Sequence, residues 1–498
     1  MNGSKLLVIA AAMGLLAACS VGPDYVRPTA EVPAAYKEAE GWKQAEPKDH
    51  LIRGAWWEIF NSPELNALEE QVNVSNQNVA LAEAQFRQAR ALVQVARAGY
   101  FPTVTAGVSA TRLSRSGTTT IGSPVTSGTI FNDYLLPVDL SWTIDIWGRV
   151  RRLVEAGVAN AQASAADVEA IRLLAQAELA QNYFQLRTLD AQKQLLDETV
   201  IAFQKTLDLT QNRYASGVAS RADVLQSQTQ LKATQAQAID VGVQRAQLEH
   251  AIALLVGQPA SSFSIPVAPL RVEPPVIPFG VPSDLLERRP DIAASERSMA
   301  AANAQIGVAR SAYFPTVTLG AAGGYESVEL SKWLTWPSRF WSVGPAVPEV
   351  LFQGGLRRAQ SAAVRAAYDG TVAAYRQTVL TGFQEVEDNL AALRVLEEEA
   401  RVQEEAVKAA RQALAVALNQ YKAGTVSYLN VLVAQAVQLN NEIVTLAIQY
   451  RRMASSVLLI KALGGGWSAS DLPAGDDLYG SDGRPPPAQN NPRPKAGP

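Results

Sequence analysis

The chain is poor in the residues that carry most chemistry. Among 498 residues there are one cysteine, two histidines and four methionines. One cysteine cannot close an intramolecular disulfide, and a His/Cys metal site is not expected. So few methionines give no thioether-rich route for a soft metal. Charge of one sign is lacking too. With 44 basic and 47 acidic residues, there is no electrostatic footprint for nucleic acid. No Ser/His/Asp set and no phosphate-cradling glycine loop is present, and His50 and His250 have no evident partners. Neither an enzyme nor a resident cofactor is expected. Long apolar runs are also missing. No stretch reaches 18 consecutive apolar residues, so no helical membrane span is expected. If the chain crosses a membrane, strands must do it.

What is present begins at the N-terminus. Lys5 is followed by thirteen mostly apolar residues, Leu6–Ala18. As a helix they span only about 20 Å, short of a bilayer core. That length suits the core of a signal peptide, residues 1–18. Leu16-Ala17-Ala18-Cys19 resembles a bacterial lipoprotein box, in which the thiol is acylated and becomes the first mature residue. The resemblance implies an N-acyl diacylglycerol group on Cys19. Ser20 after the cysteine favours the outer membrane over the inner one. Residues 19–61 then read as a lipid-anchored extended segment.

The second feature is a duplication. "ARAGYFPTVT" from Ala96 and "ARSAYFPTVT" from Ala309 agree at eight of ten positions. Each phrase follows a helix-rich stretch, and Pro102 and Pro315 cannot continue a helix. They also bias Phe101 and Phe314 towards extended geometry. Each phrase therefore marks a switch from helix to strand. "QNRYASGVASRADVLQSQTQL" (from Gln211) matches "LNQYKAGTVSYLNVLVAQAVQL" (from Leu418), and "GRVRR" (from Gly148) matches "GGLRR" (from Gly354). The repeats are residues 62–258 and 283–463. Between them, in 259–282, lies a Pro-rich extended connector; eight prolines fall from Pro259 to Pro290. Residues 464–498 turn rich in Gly, Pro, Asp and Asn, and are expected to be a disordered tail.

Each repeat has one order: helix, strand, strand, long helix, tight turn, helix. The long helices carry a 3,4 spacing. Leu186, Leu189, Leu196, Val200, Phe203, Leu207 and Tyr214 follow it in the first repeat. Leu393, Leu396, Ala400, Val407, Ala410, Leu414, Ala417 and Tyr421 follow it in the second. Sustained spacing of this kind is a coiled-coil seam. From Arg149 to about Ser216 the helix would be roughly 100 Å long. Both seams end at a glycine suited to a left-handed cap, Gly217 and Gly424. Ser220 and Ser427 suit the N-cap of the returning helix, with Asp223 and Asn430 three residues on. The tips are 215–220 and 422–427.

Strands are expected at about 103–115, 132–147, 316–328 and 339–353. In Val138–Ile146 the even positions are Val, Leu, Trp, Ile and Ile; the odd ones are Asp, Ser, Thr and Asp. Thr103–Thr111 alternates likewise, while the later two strands alternate more weakly. Such segments look like outer-membrane barrel strands, although a soluble half-buried sheet gives the same pattern. Four strands cannot close, and an open edge in lipid is forbidden. Two chains would give an eight-stranded barrel filled by its own side chains. Three chains give twelve strands with a lumen, together with twelve helices.

Cys19 with "VGPDYVRP" (from Val21), the paired "YFPTVT", the paired tips and "KALGGGW" (from Lys461) resemble the TolC-like outer-membrane efflux factors, and in particular their lipoprotein branch (OprM- and NodT-like). The match extends to about Trp467. It implies a mixed α+β membrane protein: an internally duplicated protomer of a homotrimer, with a 12-stranded β-barrel continued by a 12-helix periplasmic α-helical barrel. It implies partners as well: a periplasmic adaptor (membrane fusion protein), an inner-membrane transporter of the resistance-nodulation-division type, and outer-membrane lipid. The implied function is the exit duct for drugs or other small molecules. The exit duct of an ABC-driven type I secretion system, and a lipid-anchored coiled-coil scaffold without a pore, remain alternatives.

The resemblance also implies a periplasmic gate that closes by packing the helical hairpins together, helped by hydrogen bonds near the tips. By position, Asp223 and Tyr421 are the best pair; the plainer reading is that Asp223 completes a capping box and Tyr421 ends the seam. Relatives often carry acidic side chains on the last hairpin helix, where this chain has Asn430 and Val433. A constriction of Leu429 and Val433 with the Asn430 amide is expected instead. The tips, Gly217, Val218, Ala219 and Ser220 with Gly424, Thr425, Val426 and Ser427, would meet the adaptor. Arg151-Arg152 and Arg357-Arg358 open the long helices, and three roles stay open for them: lipid headgroups, the tunnel mouth or a solvated face.

Overall fold

The computed structural model describes residues 21–30, 32–39, 54–114, 130–270, 273–275, 277 and 282–479. Cys19, the signal peptide and His50 lie outside the described residues.

Two helices of nearly equal length set the dimensions. The first repeat contains α1 (Pro63–Ser75), α2 (Gln77–Ala98), α3 (Arg149–Ala215) and α4 (Arg221–Leu255). The second contains the one-turn α5 (Leu285–Arg288), α6 (Pro290–Ser311), α7 (Leu356–Ala423) and α8 (Tyr428–Ala462). At 67 and 68 residues, α3 and α7 are each about 100 Å long. Their seams are used as the 3,4 spacing predicts. Leu186, Leu196, Phe203 and Leu207 are buried on α3, and Leu393, Leu396 and Val407 on α7. The helix α8 is, among the described residues, the one long and apolar enough by composition to cross a membrane. It forms instead the returning arm of the second hairpin, packed along α7 and α3.

The strands are β1 (Thr103–Ala106), β2 (Ser109–Ser114), β3 (Ile130–Ile144), β4 (Val317–Ser327) and β5 (Arg339–Ala346). They form one antiparallel sheet, β1/β2–β3–β4–β5, with β1 and β2 in a single continuous register against β3. The interruption falls at Gly107, opposite Pro137 in the central strand; Gly107 N–H donates to the Pro137 carbonyl at 3.1 Å. β3 stops at Ile144, short of the expected 147. Asp145 leaves the sheet to cap α3, its carboxylate accepting from the N–H groups of Val150 and Arg151, both at 2.9 Å. β5 stops at Ala346, short of 353, and Pro348 lies just beyond it. A proline cannot donate to a ladder.

The register sorts the sheet into two faces. Val104, Leu140 and Ala321 align with Val343; Val138 and Gly323 align with Trp341; Trp142 and Leu319 align with Pro345. The opposite face carries Thr105, Asp139, Ala322 and Ser342, and beside them Ser141, Gly320 and Gly344. One face is apolar; the other is small and polar.

The main core lies where the two repeats meet, with Trp56, Phe60, Leu65, Leu179, Phe184, Ile252, Tyr375 and Ile460 all buried. An ion network fixes the connector there. Asp190, 1% exposed, accepts from Arg187 at 3.0 Å, Arg245 at 2.7 Å and the Ala268 N–H at 3.0 Å. Arg187 also donates to the carbonyl of Pro266 at 2.6 Å, and Arg245 to that of Ile265 at 2.7 Å.

Two expectations are corrected. Residues 464–479 are ordered, although composition suggests a disordered tail from 464. Gly464, Gly465 and Gly466 all have positive φ and stop α8. The chain then packs outward: Leu478 is buried with Val93 and Ala161, Trp467 and Leu472 pack against Ala166 and Ala293, and Arg97 lies over the Tyr479 ring. Apolar anchors hold it where Gly and Pro content gives no sign. Arg152, secondly, meets neither lipid nor a tunnel mouth. Its buried guanidinium donates to Asp24 at 2.9 Å and Glu155 at 2.8 Å. Arg357 is held by Glu349 at 3.0 Å.

Candidate functional site: the hairpin tips and the N-terminal strap

Both tips are tight because glycine closes both long helices. Gly217 and Gly424 have φ of 75° and 77°, a region costly for residues with a Cβ. At the first tip the N–H groups of Val218 and Ala219 both donate to the Arg213 carbonyl, at 2.8 and 3.2 Å. At the second, Thr425 N–H donates to the Gln420 carbonyl at 3.0 Å. Val218 is exposed, whereas Val426 is half-buried against the Tyr421–Tyr428 pair.

Asp223 and Tyr421 are not brought together. Asp223 completes a capping box, accepting from the Ser220 N–H at 3.0 Å while its own N–H donates to Ser220 Oγ at 3.1 Å. Ser427 occupies the matching N-cap without a side-chain bond, and Asn430 stands where the first tip has Asp223. Tyr421 does link the two hairpins, through α3 rather than α4. Its hydroxyl donates to Thr210 Oγ1 at 3.4 Å, Arg213 sits 4.7 Å above its ring, and the Arg213 guanidinium donates to the Lys422 carbonyl at 3.0 Å. Tyr428 packs edge-on at 5.7 Å, and burial pushes its hydroxyl above the usual tyrosine pKa. Further along α8, Gln435 Nε2 donates to Thr206 Oγ1 at 3.3 Å, both groups buried.

The α3 half of this polar set has no copy in the other repeat. With an offset of 207, the counterparts of Thr206, Thr210 and Arg213 on α7 are Ala413, Ala417 and Gln420. Tyr421 is 2% exposed and its counterpart Tyr214 is 48% exposed. Thr206, Thr210, Arg213 and Tyr428 escape sequence reasoning, although the departures from the repeat at these positions are visible; Gln435 matches Gln228 and shows none. Leu429, Asn430 and Val433 stand together on an exposed stripe of α8, with Leu429 and Val433 more than half exposed.

At the other end, residues 21–30 and 32–39 form a strap along α6 and α7. Val21 N–H donates to the Trp147 carbonyl at 3.2 Å, at the foot of β3. Asn303 donates to the Pro23 carbonyl at 3.1 Å, and Tyr25 donates to Glu296 at 3.0 Å. Arg27 donates to the Tyr375 hydroxyl at 3.2 Å. Lower down, Glu387 accepts from the N–H groups of Lys37 and Glu38 at 2.7 and 3.0 Å. The strap thus starts beside the sheet and descends about 45 Å along α7.

A one-faced apolar sheet with open edges, set on a pair of 100 Å hairpins, defines the protomer of an outer-membrane channel. The family model described as "Outer membrane efflux protein" matches residues 68–258 and 281–465, and the chain belongs to that family. It is 30% identical over 469 residues to outer membrane protein OprJ of Pseudomonas aeruginosa, covering 93% of this chain and 96% of OprJ. It is 30% identical over 459 residues to the toluene efflux pump outer membrane protein TtgF of Pseudomonas putida, covering 91% and 95%. The solved structure of the outer-membrane channel OprN superposes with a TM-score of 0.84 at 30% identity, covering 90% of this chain and all of that one.

Proposed function

We propose that this protein is the trimeric exit duct of a tripartite efflux pump, carrying drugs or other small molecules outward across the outer membrane without catalysis. The observation that carries the reading is the sheet: one apolar face and, among the described residues, two unpaired edges at β1/β2 and β5. An unpaired edge is not tolerated in lipid, so the edges must meet those of other copies. Three copies close a twelve-stranded barrel, with the row of Leu140, Ala321 and Val343 against lipid and Asp139, Ser141 and Ser342 towards the lumen. Relatives named as toluene and solvent efflux pump components support small-molecule efflux over protein secretion. The implied partners are a periplasmic adaptor, received by the exposed tips at Gly217–Ser220 and Gly424–Ser427, and a proton-driven inner-membrane transporter.

The same reading makes Cys19 the lipid anchor. Val21 sits at the foot of the sheet, so a lipid two residues away reaches the inner surface of the outer membrane. The gate is the Leu429–Asn430–Val433 stripe, closed by apolar contact. The Tyr421–Thr210 and Gln435–Thr206 bonds hold the two hairpins of one protomer together while the clefts between protomers open. The testing experiment is reconstitution of the purified protein in a planar bilayer, with its mass measured in detergent. A trimer mass, a heat-resistant β-signal and discrete conductance steps are expected. A monomer without a heat-resistant β-signal would favour the scaffold without a pore.

A further inference from the structure

The end of the sheet away from the helices carries a group of side chains that conduction does not use. β1 follows α2 and β4 follows α6, so the ends at Ser114, Ile130, Ser327 and Arg339 are distal. Strand parity places Arg112, Tyr134, Tyr325, Arg339 and Trp341 on the apolar face there. From Ile144 up to Leu136, which aligns with Tyr325 and Arg339, the strand rises about 27 Å, or about 21 Å of height at barrel tilt. Arg339 therefore stands at the outer boundary of an apolar band of bilayer height.

The β4–β5 connection is built at this level. Trp333 Nε1 donates to the Tyr325 carbonyl at 3.3 Å, and its ring lies 5.8 Å from that of Tyr134. Thr335 and Ser338 hydroxyls donate to the Lys332 carbonyl at 2.6 and 2.8 Å. Leu330, Leu334, Trp336 and Trp341 are nevertheless left exposed, the last two at 75% and 80%. The Arg339 guanidinium carbon lies over the Trp336 ring. Glu329 is taken by Lys332 at 2.7 Å, and among the described residues no carboxylate pairs with Arg339 or Arg112. A guanidinium stacked on an indole keeps its in-plane donors free, in the fork that fits a phosphate. Exposed Trp and Leu around it match the boundary between acyl chains and headgroups.

We propose that this belt binds the phosphate-bearing headgroups of outer-leaflet lipid, with Arg339 on Trp336 as the principal anion contact and Arg112 as a second. The proposal rests on the barrel reading above, which fixes the apolar face towards lipid. The test is native mass spectrometry of the full-length trimer, exchanged into micelles containing bisphosphorylated lipid A or its dephosphorylated form. The wild type is expected to retain the phosphorylated lipid and to bind the dephosphorylated form about tenfold more weakly. Arg339→Gln should lose about tenfold in affinity, with further loss on adding Arg112→Gln, while Lys332→Gln stays near wild type. Arg339→Lys, which keeps the charge and loses the fork, should fall between. Equal binding by the double variant and the wild type would overturn the proposal, as would equal binding of the dephosphorylated lipid. Displacement by millimolar inorganic phosphate would reassign the site to the free anion and overturn it too. A wild type that is not trimeric sinks the barrel reading itself; a stable trimer with indifferent arginines sinks only the lipid site.

Discussion

Glu69 shows how one residue can shape stability without touching the duct. It is fully buried on α1, and neither carboxylate oxygen has a hydrogen-bond partner among the described residues. Burial alone drives its pKa well above the usual carboxylate range. A raised folded-state pKa means that the folded chain holds a proton the unfolded chain has released. Stability is then complete below the unfolded pKa and falls as pH rises towards the folded one. Melting temperature should therefore drop as pH rises above the usual carboxylate range, and Glu69→Gln should flatten that drop. A wild-type profile that rises with pH above that range would contradict the assignment. At the tip, Tyr421→Phe removes only the bond to Thr210, a loss of about 1 kcal/mol. In a double-mutant cycle with Thr210→Val, measured by thermal unfolding, the two losses should be less than additive. Strict additivity would show that the hydroxyls do not interact.

At the scale of elements, the long hairpins are legible in the sequence and their contacts are not. The 3,4 spacing locates α3 and α7, and the paired glycines locate their ends, because both follow from local geometry. Proximity to the tip gives Tyr421 the wrong partner. Its true neighbours, Thr210 and Arg213, lie on the rising helix of the first hairpin, and that alignment depends on how two coiled coils dock some two hundred residues apart. Arg152 looks like half of a surface basic pair because its partner Asp24 belongs to a distant strap. The segment 464–479 is hidden by its composition. Its anchors, Trp467, Leu472 and Leu478, are too sparse to show periodicity, yet they cover small residues of α2, α3 and α6. Truncation after Gly466 should uncover Val93, Ala161 and Ala166 and lower the melting temperature by about two degrees or more, as expected for a loss of about 2 kcal/mol or more. An unchanged melting temperature would mean that the segment contributes nothing to the fold.

For the whole molecule, the duplication explains the architecture. Two similar repeats give each protomer two hairpins and a sheet four strands wide, so three protomers approximate six equal staves. The departures from the repeat then matter most. The polar contacts at Thr206, Thr210 and Arg213 bind hairpins within one protomer, and the Leu429, Asn430 and Val433 stripe carries no carboxylate. Conductance in bilayers should therefore resist trivalent cations at micromolar levels, and Asn430→Asp should make it sensitive. Micromolar block of the wild type would place an acidic ring elsewhere in the lumen.

On the proposed function, the tips deliver this duct to an efflux pump. The most direct test is a photocrosslinking residue at Val218 in intact cells, followed by purification of the trimer and mass spectrometry of what is attached. A crosslink to a periplasmic adaptor is expected, with a proton-driven inner-membrane transporter in the same complex. An ABC transporter in that place, or a trimer crosslinked to no adaptor, would contradict it.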